Sequence, residues 1–367
     1  MDRREFMARW KGPVETAARR LLVYRQADYW LGEFAPARSL EELRAEVVRV
    51  DNEARDVKTF ALRPNAHWRG FSAGQHVSVE VEIGGVRTQR VFSLSSAPSD
   101  PLLAITVKRM PGGRVSPWLH EQARPGHIVG LSPATGRFVL PSPLPPKLLL
   151  LSGGSGITPL MSILRDLDAR DAVSDVVLVH HARAGDGVIF RDDLEAIAAR
   201  RTGLRLAFCL SDGDGHGRFD GARLAELVPD FAERATFLCG PHGLMERAGQ
   251  MWTRAGALSG LRRESFGLPA SARPPGADAS DRYERRIHLG RSGRSHLVDD
   301  KANLLDELER FGERLASGCR MGICQTCTCR KRRGVVRDLT TGKTSSDRDE
   351  EIQLCISAPQ SDVELDL

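Results

Sequence analysis

The spacing of apolar residues divides the chain into regions with different predicted structures. From residue 45 to 142, short runs of alternating apolar and polar residues, such as "VEVEIGG" and "RVFSLSS", are separated by glycine and proline. Many short strands with turn signals between them are typical of a small antiparallel barrel. We therefore predict an antiparallel β-barrel domain over 45–142.

Between residues 143 and 267 the pattern changes to apolar runs such as "KLLLLSG", "DVVLVHH" and "ATFLCGP". These runs alternate with helical stretches such as "PLMSILRDLDAR" and "FRDDLEAIAARR". Strands and helices in alternation form βαβ units, which assemble into a parallel sheet covered by helices. We therefore predict an α/β domain with a parallel sheet over 143–267.

The remaining regions are an arm, a linker and a small C-terminal domain. Residues 1–44 are amphipathic and rich in aromatic residues, which predicts a partly helical arm that either docks on the body or contacts a partner or membrane surface. Residues 268–284 are rich in proline, glycine, alanine and serine, as linkers are. Residues 285–367 form a small α+β domain that contains most of the cysteines.

Composition narrows the class of protein. The hydrophobic fraction of 41% and the charged fraction of 28% are those of an ordinary globular chain, and the net charge of +5 is too small to indicate nucleic-acid binding. No run approaches the ~20 apolar residues of a membrane span, and the N-terminus lacks the apolar core of a secretory signal. The sequence contains no H-E-x-x-H zinc motif. We expect a cytoplasmic protein.

The seven cysteines favour a metal centre over a disulfide framework, because their number is odd and most lie near the C-terminus. Cys319, Cys324 and Cys327 have the spacing C-x4-C-x2-C, and Cys355 follows much later. This is the spacing of plant-type [2Fe–2S] ferredoxins. Zinc is the alternative, but structural zinc sites usually use two close pairs of ligands. We predict that these four cysteines bind a [2Fe–2S] cluster.

Two details of this motif bear on the cluster. Gly318 and Gly322 allow backbone N–H groups to approach the sulfur atoms, where hydrogen bonds tune the reduction potential. Cys329 is the alternative to Cys355 as the fourth ligand. The stretch "CTCRK" has the pattern of an extended strand, which turns Cys329 to the face opposite Cys327. We therefore expect Cys329 not to be a ligand.

A cluster that carries one electron needs an electron source, and the α/β domain offers a nucleotide site. In "LLLLSGGSGITPL" a glycine-rich turn follows a buried strand, and Pro159 stands in the first turn of the next helix. Glycines at such a turn let the backbone approach a pyrophosphate, whose charge the helix N-terminus stabilises. Gly154, Ser155 and Gly156 are the predicted nucleotide-binding residues.

The barrel contains two further motifs, "RVFS" at 90–93 and "GGRVS" at 112–116. They resemble the two flavin-binding signatures of the ferredoxin–NADP reductase superfamily, with phenylalanine in place of the usual tyrosine. The resemblance implies that Arg90 pairs with the FAD pyrophosphate, Phe92 stacks on the flavin and Ser93 hydrogen-bonds near its reactive nitrogen. It also implies phosphate contacts from Gly113, Val115 and Ser116.

The order of flavin barrel, nucleotide domain ending in "FLCGPHG", linker and ferredoxin resembles the fused oxygenase and desaturase reductases of bacteria. This resemblance places Thr158 and the turn Cys239, Gly240 and Pro241 beside the nicotinamide, so that the reaction centre would contain Ser93, Thr158 and Cys239. The segment "RESFG" resembles the Glu-x-Phe that closes the reductase half. "DYWLGEF", "VRDLTTG" and "DVELDL" are similar to the subgroup that serves membrane fatty-acid desaturases.

The choice of nicotinamide depends on the end of the second strand of the nucleotide domain. Arg183 stands where NAD-binding proteins tend to place an acid on the ribose 2′-hydroxyl. An arginine there suits the 2′-phosphate of NADPH, with help from Arg191. Asp186 nearby keeps NADH open as the alternative. We predict NADPH.

The predicted function is a reductase that passes electrons from NADPH through FAD and a [2Fe–2S] cluster to a membrane fatty-acid desaturase. The first alternative is the reductase of a soluble ring-hydroxylating or Rieske-type oxygenase, and the second is an iron–sulfur redox sensor without turnover. The basic run 330–333, "RKRR", predicts a docking patch for an acidic partner or the anionic inner face of a membrane. Its alternative is a solvated basic turn.

Overall fold

The computed structural model describes residues 37, 39–211, 219–266, 284–318, 320, 322 and 325–367. The strands form a six-stranded sheet, then a five-stranded parallel sheet, then a five-stranded and a three-stranded sheet near the C-terminus. The order is that of an antiparallel barrel, an α/β domain and a small α+β domain. The predicted fold class is therefore confirmed.

The first sheet closes into a barrel. Its strands are hydrogen-bonded in the order β4-β3-β6-β1-β2-β5, and a bridge between Leu94 and Ile105 joins the two edges. Inward-facing apolar side chains such as Phe60 and Val77 fill the interior. The elements are β1 (Arg44–Ala54), β2 (Val57–Pro64), β3 (His76–Ile83), β4 (Val86–Ser93), β5 (Leu103–Lys108), α1 (Val115–Gln122) and β6 (Ile128–Leu131).

The second sheet is parallel, with the order β11-β10-β7-β8-β9. The chain runs outward from β7 to β9 on one side and then returns to the other side at β10. This reversal opens a crevice at the carboxyl ends of β7 and β10, where open α/β sheets bind ligands. The elements are β7 (Leu148–Gly153), α2 (Ile157–Ala169), β8 (Val176–Ala182), α3 (Arg191–Arg200), β9 (Leu204–Leu210), α4 (Gly221–Leu227), β10 (Ala235–Cys239), α5 (His242–Arg254) and β11 (Leu261–Glu264).

The C-terminal domain is a mixed sheet with one helix packed on it. The order of its larger sheet is β13-β12-β19-β14-β17, and β12 runs parallel to β19. The elements are β12 (Glu284–Leu289), β13 (Ser295–Asp299), α6 (Leu304–Arg310), β14 (Thr328–Arg333), β15 (Val336–Asp338), β16 (Thr344–Ser345), β17 (Glu350–Gln353), β18 (Ser357–Pro359) and β19 (Val363–Leu365). Cysteines take part in its core, together with aliphatic side chains.

The predicted arm, 1–44, and the predicted linker, 268–284, lie largely outside the described residues. At their ends, β1 already begins at Arg44 and β12 at Glu284. None of the helices in the described ranges is long and apolar enough to cross a membrane.

The basic run 330–333, predicted to be a docking patch, has acidic residues beside it that strand pairing brings close. The run lies in β14, which pairs with β17 in a register that sets Arg330 opposite Glu351 and Lys331 opposite Glu350. Lys331 is fully buried, and its Nζ donates to the backbone oxygens of Gly334 and Asp347. It also lies 3.4 Å from a Glu350 carboxylate oxygen. Opposite charges directly across a sheet attract each other.

The remaining two members of the run are also paired. Arg332 lies 2.9 Å from Asp349 and 3.2 Å from Asp366, and Arg333 lies 2.6 Å from Glu364. Asp349 immediately precedes β17, Glu364 lies in β19 and Asp366 follows it, and the fold brings both strands beside β14. The resulting surface is a mixture of both charges.

A buried arginine ties the amino ends of three parallel strands together. The side chain of Arg234 is 2% exposed and lies 2.7 Å from Asp175 and 2.8 Å from Asp230, and it donates to the Leu148 oxygen. A hydrogen bond from this guanidinium holds the pKa of Asp230 well below its usual range. The folded state is stabilised at neutral pH, and this contribution is lost as the pH falls through the folded-state pKa of Asp230.

We predict that Arg234→Ala lowers the free energy of unfolding by about 2–4 kcal/mol, because it removes the buried guanidinium that bonds Asp175, Asp230 and the Leu148 oxygen. Lys147, 3.0 Å from Asp230, remains in the variant. Urea unfolding at neutral pH is the measurement, and the loss should shrink as the pH is lowered. Arg223→Ala is the control, because Arg223 pairs with Glu226 on the exposed face of α4. Equal losses in the two variants would contradict the assignment.

Candidate functional site

The first predicted flavin signature occupies the last four residues of β4. Ser93 is buried, and its Oγ has no hydrogen-bond partner among the described residues. A buried hydroxyl in this state is costly unless a bound molecule satisfies it. Arg90 and Phe92 are half-buried and share the other face of the strand, where Phe92 packs at the edge of the barrel core. The strand therefore fits a flavin.

The second signature forms the turn into α1. Val115 and Ser116 are the first two helical residues and both are buried. The Ser116 Oγ accepts the Met110 N–H at 3.1 Å, which leaves the Ser116 hydroxyl proton for another acceptor. A Cβ on Gly113 would lie 3.1 Å from the Met110 oxygen, so a side chain fits poorly there. The turn offers backbone N–H groups and one hydroxyl to a phosphate.

The two predicted nicotinamide segments pack against each other, backbone to backbone. The turn after β7 runs from Gly154 to Gly156 as a 3-10 helix that leads into α2. A Cβ on Gly156 would lie 2.2 Å from the Cys239 backbone oxygen, and one on Gly153 would lie 2.9 Å from Pro241 Cδ. A Cβ on Gly240 would be 3.0 Å from the Gly153 nitrogen. The glycines are what allow the loops to meet.

Two further predicted residues are buried at this junction. The hydroxyl of Thr158 donates to the Ser155 backbone oxygen at 3.0 Å, in the first turn of α2. Cys239 is the last residue of β10 and is fully buried. Burial, with a contribution from the nearby Glu264 charge, raises the pKa of the Cys239 thiol well above its usual value. This thiol is therefore uncharged at neutral pH and acts as an apolar wall.

The structure adds a pair of residues that joins the barrel to this junction. His76 lies directly opposite Ser93 in the β3–β4 pairing, and Glu264 lies opposite Cys239 in the β10–β11 pairing. His76 Nδ1 is 3.4 Å from Glu264 Oε1, and its Nε2 is 3.2 Å from Thr135 Oγ1. The second carboxylate oxygen of Glu264 is buried and has no hydrogen-bond partner among the described residues. The ends of β4, β10 and β11 thus meet.

The sequence analysis quoted Glu264 without assigning it a role, and it missed His76. A signal was present in the hairpin, because Gly84 and Gly85 form the turn between β3 and β4 and Ile83 pairs with Val86. Counting outward from that turn places His76 opposite Ser93. The contact with Glu264 spans 188 residues and has no local signal.

Arg183 lies where a nucleotide ribose is expected. It is exposed, one residue beyond the carboxyl end of β8. Arg191, at the start of α3, has its guanidinium 5.0 Å from the centre of the Phe208 ring and 3.2 Å from Glu195. A Cβ on Gly185 would be 3.8 Å from the Arg191 guanidinium, so both arginines flank one short loop. Phe208 and Glu195 hold Arg191, while Arg183 extends into solvent.

Of the four predicted metal ligands, Cys327 and Cys355 are described, and Cys319 and Cys324 lie outside the described residues. Cys327 immediately precedes β14, and Cys355 sits in a 3-10 turn after β17. The Leu354 N–H donates to the Cys327 oxygen at 3.1 Å, which joins the two segments. Gly322 donates its N–H to Cys355 Sγ at 3.3 Å. An N–H directed at a buried cysteine sulfur fits a cluster ligand.

Cys329 lies in β14 and packs into the core of the C-terminal domain. It is paired with Ile352 across the sheet. Burial raises the pKa of the Cys329 thiol to about 11, so that it is protonated at neutral pH. These surroundings are those of a buried apolar residue and agree with the expectation that Cys329 is not a ligand.

Family comparisons cover the three domains in order. Residues 44–140 match the model of the oxidoreductase FAD-binding domain, residues 150–250 that of the oxidoreductase NAD-binding domain, and residues 287–360 that of the 2Fe-2S iron-sulfur cluster binding domain. The predicted cofactors, FAD, a nicotinamide nucleotide and a [2Fe–2S] cluster, are thereby confirmed. The alternative of a zinc site is not supported.

Whole-length relatives have the same organisation. The chain is 38% identical to an NADPH oxidoreductase of Mycobacterium tuberculosis, over 90% of this chain and 86% of that protein. It is 34% identical to the glycine betaine monooxygenase reductase subunit of Chromohalobacter salexigens, over 87% and 94%. Among solved structures, phthalate dioxygenase reductase, described as modular for electron transfer from pyridine nucleotides to [2Fe–2S], matches with a TM-score of 0.63 and 26% identity. That match covers 89% of this chain and 98% of the other.

We predict that Gly156→Ala lowers the free energy of unfolding by about 1–3 kcal/mol, because its methyl group would force the two loops apart. The change in urea midpoint is the measurement. Gly187→Ala is the matched control, because a Cβ on Gly187 meets nothing within 4 Å. Equal stability of the two variants would show that the loops do not need this close approach.

Proposed function

Because the chain belongs to the ferredoxin–NADP reductase superfamily, in the group that carries a C-terminal [2Fe–2S] ferredoxin domain, we propose that it is the reductase component of an oxygenase and takes its electrons from NADPH. As a member of this group the protein is an NAD(P)H-dependent oxidoreductase. The oxygenase, the preference for NADPH and the individual residue roles are parts of the proposal.

The observation that carries the proposal is the meeting of the barrel and the nucleotide sheet. The strand end with the unpartnered Ser93 hydroxyl lies beside His76, whose ring reaches Glu264 at the end of β11. The glycine turn and the Cys239 turn close the same junction from the sheet side. A flavin held by the barrel and a nicotinamide held by the sheet would therefore come together there.

In this proposal each cofactor has its own set of contacts. FAD is held by Arg90, Phe92 and Ser93 in β4 and by Gly113, Val115 and Ser116 before and within α1. The nicotinamide nucleotide is held by Gly154, Ser155, Gly156 and Thr158 and by Cys239, Gly240 and Pro241, with Arg183 on the 2′-phosphate. The cluster is bound by Cys319, Cys324, Cys327 and Cys355. When bound, the flavin supplies the conversion of a two-electron hydride donor into single electrons for the cluster.

The comparisons favour an oxygenase over a desaturase as the acceptor. Relatives that match along most of the chain include a monooxygenase reductase subunit, and one solved structure that matches along most of the chain is a dioxygenase reductase. We therefore propose a protein acceptor without membrane docking.

An anaerobic titration of the purified protein with NADPH and, in parallel, NADH tests this function. We expect NADPH to bleach both the flavin and the cluster absorbance. We expect NADH to need a concentration about tenfold higher, or more, for the same bleaching. Arg183→Ser should narrow that difference by weakening NADPH alone, because arginine pairs strongly with a phosphate. Arg170→Ser is the control, since Arg170 is an exposed partner of Asp166 at the end of α2.

Two results would contradict these assignments. If Arg183→Ser weakens NADPH and NADH equally, Arg183 does not read the 2′-phosphate. If neither nucleotide bleaches the flavin, the reductase function is wrong and a sensor without turnover becomes the better proposal. Where the protein is reduced, a further measurement distinguishes the two candidate acceptors. It compares the rate at which a purified Rieske-type oxygenase and a desaturase in vesicles reoxidise the reduced protein.

We further predict that Gly322→Ala lowers the reduction potential of the cluster. Gly322 has a φ of +74°, and a Cβ there would lie 2.7 Å from Ile356 Cδ1, beside Cys355. The displaced N–H would no longer stabilise the extra negative charge that the sulfur atoms carry after reduction. A dithionite titration followed by electron paramagnetic resonance gives the potential.

Gly342→Ala is the matched control for this variant. Gly342 has the same φ of +74°, and a Cβ there would meet nothing within 4 Å. Both variants carry the same backbone cost, so only the effect on the cluster separates them. Equal potentials in the two variants would show that the Gly322 N–H does not tune the cluster.

A further inference from the structure

A chain of buried hydroxyl groups crosses the outer face of the barrel from a single carboxylate. Glu53, in β1, accepts the Thr59 hydroxyl at 2.9 Å. The Thr59 oxygen lies 2.9 Å from that of Thr106, which lies 2.9 Å from the Ser95 Oγ. An ionised carboxylate only accepts, so Thr59 donates to Glu53 and Thr106 donates to Thr59. The Ser95 hydroxyl donates either to Thr106 or to the Ala104 backbone oxygen, which lies 3.3 Å away.

The nucleotide domain contacts both ends of this chain. At one end the Phe190 N–H donates to the other Glu53 carboxylate oxygen at 3.1 Å. At the other end Arg165 donates to the Ser95 backbone oxygen at 2.6 Å. The Arg165 guanidinium also lies 5.0 Å from the centre of the Phe190 ring. The contacts close into an interdomain ring, whose members are Glu53, Thr59, Thr106, Ser95, Arg165 and Phe190.

The conformation of Phe190 indicates that the ring is built and not incidental. Phe190 is buried and has a φ of +61°, in the left-handed region that residues other than glycine rarely adopt. Such a conformation persists only where surrounding contacts hold it. The bond to Glu53 and the stacking of Arg165 are contacts of this kind.

The ring joins the two segments that the proposed function brings together. Ser95 follows Ser93 by two residues, and Arg165 lies on α2, the helix that begins at the glycine turn. A second bridge lies beside it, because the Ser162 hydroxyl of α2 donates to the Ser96 backbone oxygen at 2.7 Å. The helix behind the nucleotide turn is therefore bonded to the segment that follows the flavin strand.

We propose that Glu53 is a positioning residue that, through the interdomain ring, sets the placement of the nicotinamide site against the flavin site. This inference rests on the proposed function. Glu53 touches neither predicted cofactor site and acts through Phe190 and the hydroxyl chain. It therefore governs how well two bound groups are aligned and not how tightly either is bound.

The charge of Glu53 is not what the ring needs. Burial raises the pKa of Glu53, so ionisation of this residue disfavours the folded state. A glutamine accepts from the Phe190 N–H with its oxygen and donates to Thr59 with its amide. The hydroxyls can then all reverse, because the Ala104 backbone oxygen lies 3.3 Å from the Ser95 Oγ and accepts the last proton. Glutamine preserves the ring, whereas leucine removes it.

The test compares Glu53→Leu, Glu53→Gln and Thr106→Val, with Glu46→Leu as the control. Glu46 is a carboxylate of the same strand that pairs with Arg63 on the surface. We expect Glu53→Leu to slow flavin reduction at saturating NADPH about tenfold or more, while the Kd for NADP+ changes by less than about twofold. Thr106→Val should also slow flavin reduction while leaving the Kd for NADP+ nearly unchanged. Glu53→Gln and Glu46→Leu should match the wild type.

Amide hydrogen exchange over residues 186–194 provides a readout that does not depend on turnover, and Glu53→Leu should increase it. The proposal would be overturned if the Glu53→Leu variant is less stable but is reduced at the wild-type rate at saturating NADPH. It would also be overturned if the Glu53→Gln variant is as slow as the Glu53→Leu variant. If the Glu53→Leu variant does not fold, the comparison of flavin-reduction rates in the Thr106→Val and Glu53→Gln variants decides the question. If NADPH reduces no flavin even in the wild type, the proposed function fails. Unchanged amide hydrogen exchange in the Glu53→Leu or Thr106→Val variant would then overturn the interdomain ring as well.

Discussion

The close approach of two backbone loops is the constraint on which the candidate site depends. The turn after β7 and the turn after β10 touch where a Cβ on Gly156 would stand 2.2 Å from the Cys239 oxygen. Because parallel strands place their carboxyl ends at one edge, the order reversal between β7 and β10 leaves a crevice there. Because the glycines have no side chains, both turns can reach the same crevice. Glu264 on β11 extends this crevice toward the barrel.

Contacts between the domains turn this edge into a site. His76 bonds the barrel to β11, and the ring through Glu53 bonds it to α2 and α3. These links lie on both sides of the segment that carries Ser93. Alignment of two bound groups to within a fraction of an ångström needs such rigid support, because a small misplacement is costly in rate. In the proposed function the loops bind the nucleotide and the links between the domains align it with the flavin.

The sequence predicted what depends on local pattern and missed what depends on distant pairing. Strand periods gave the three domains, and the positions of Gly154 and Gly156 follow from a strand-to-helix turn that any chain of this pattern makes. The bond between Glu53 and Phe190 joins residues 137 apart, so neither period nor motif contains it. The acids beside the basic run in β14 have no local signal for the same reason, since they lie on or next to strands that become neighbours only in the fold.

The two described cysteines of the cluster motif illustrate how a fold joins sequence-distant residues. Cys327 and Cys355 are brought together by the pairing of β14 with β17, and the Leu354 N–H to Cys327 oxygen bond continues that pairing up to the cysteines themselves. The sheet is held by its own apolar core and by the charge pairs across β14 and β17. The spacing of these two sulfur atoms is therefore a property of the sheet. The pairs that Lys331, Arg332 and Arg333 form with acids also stabilise this sheet.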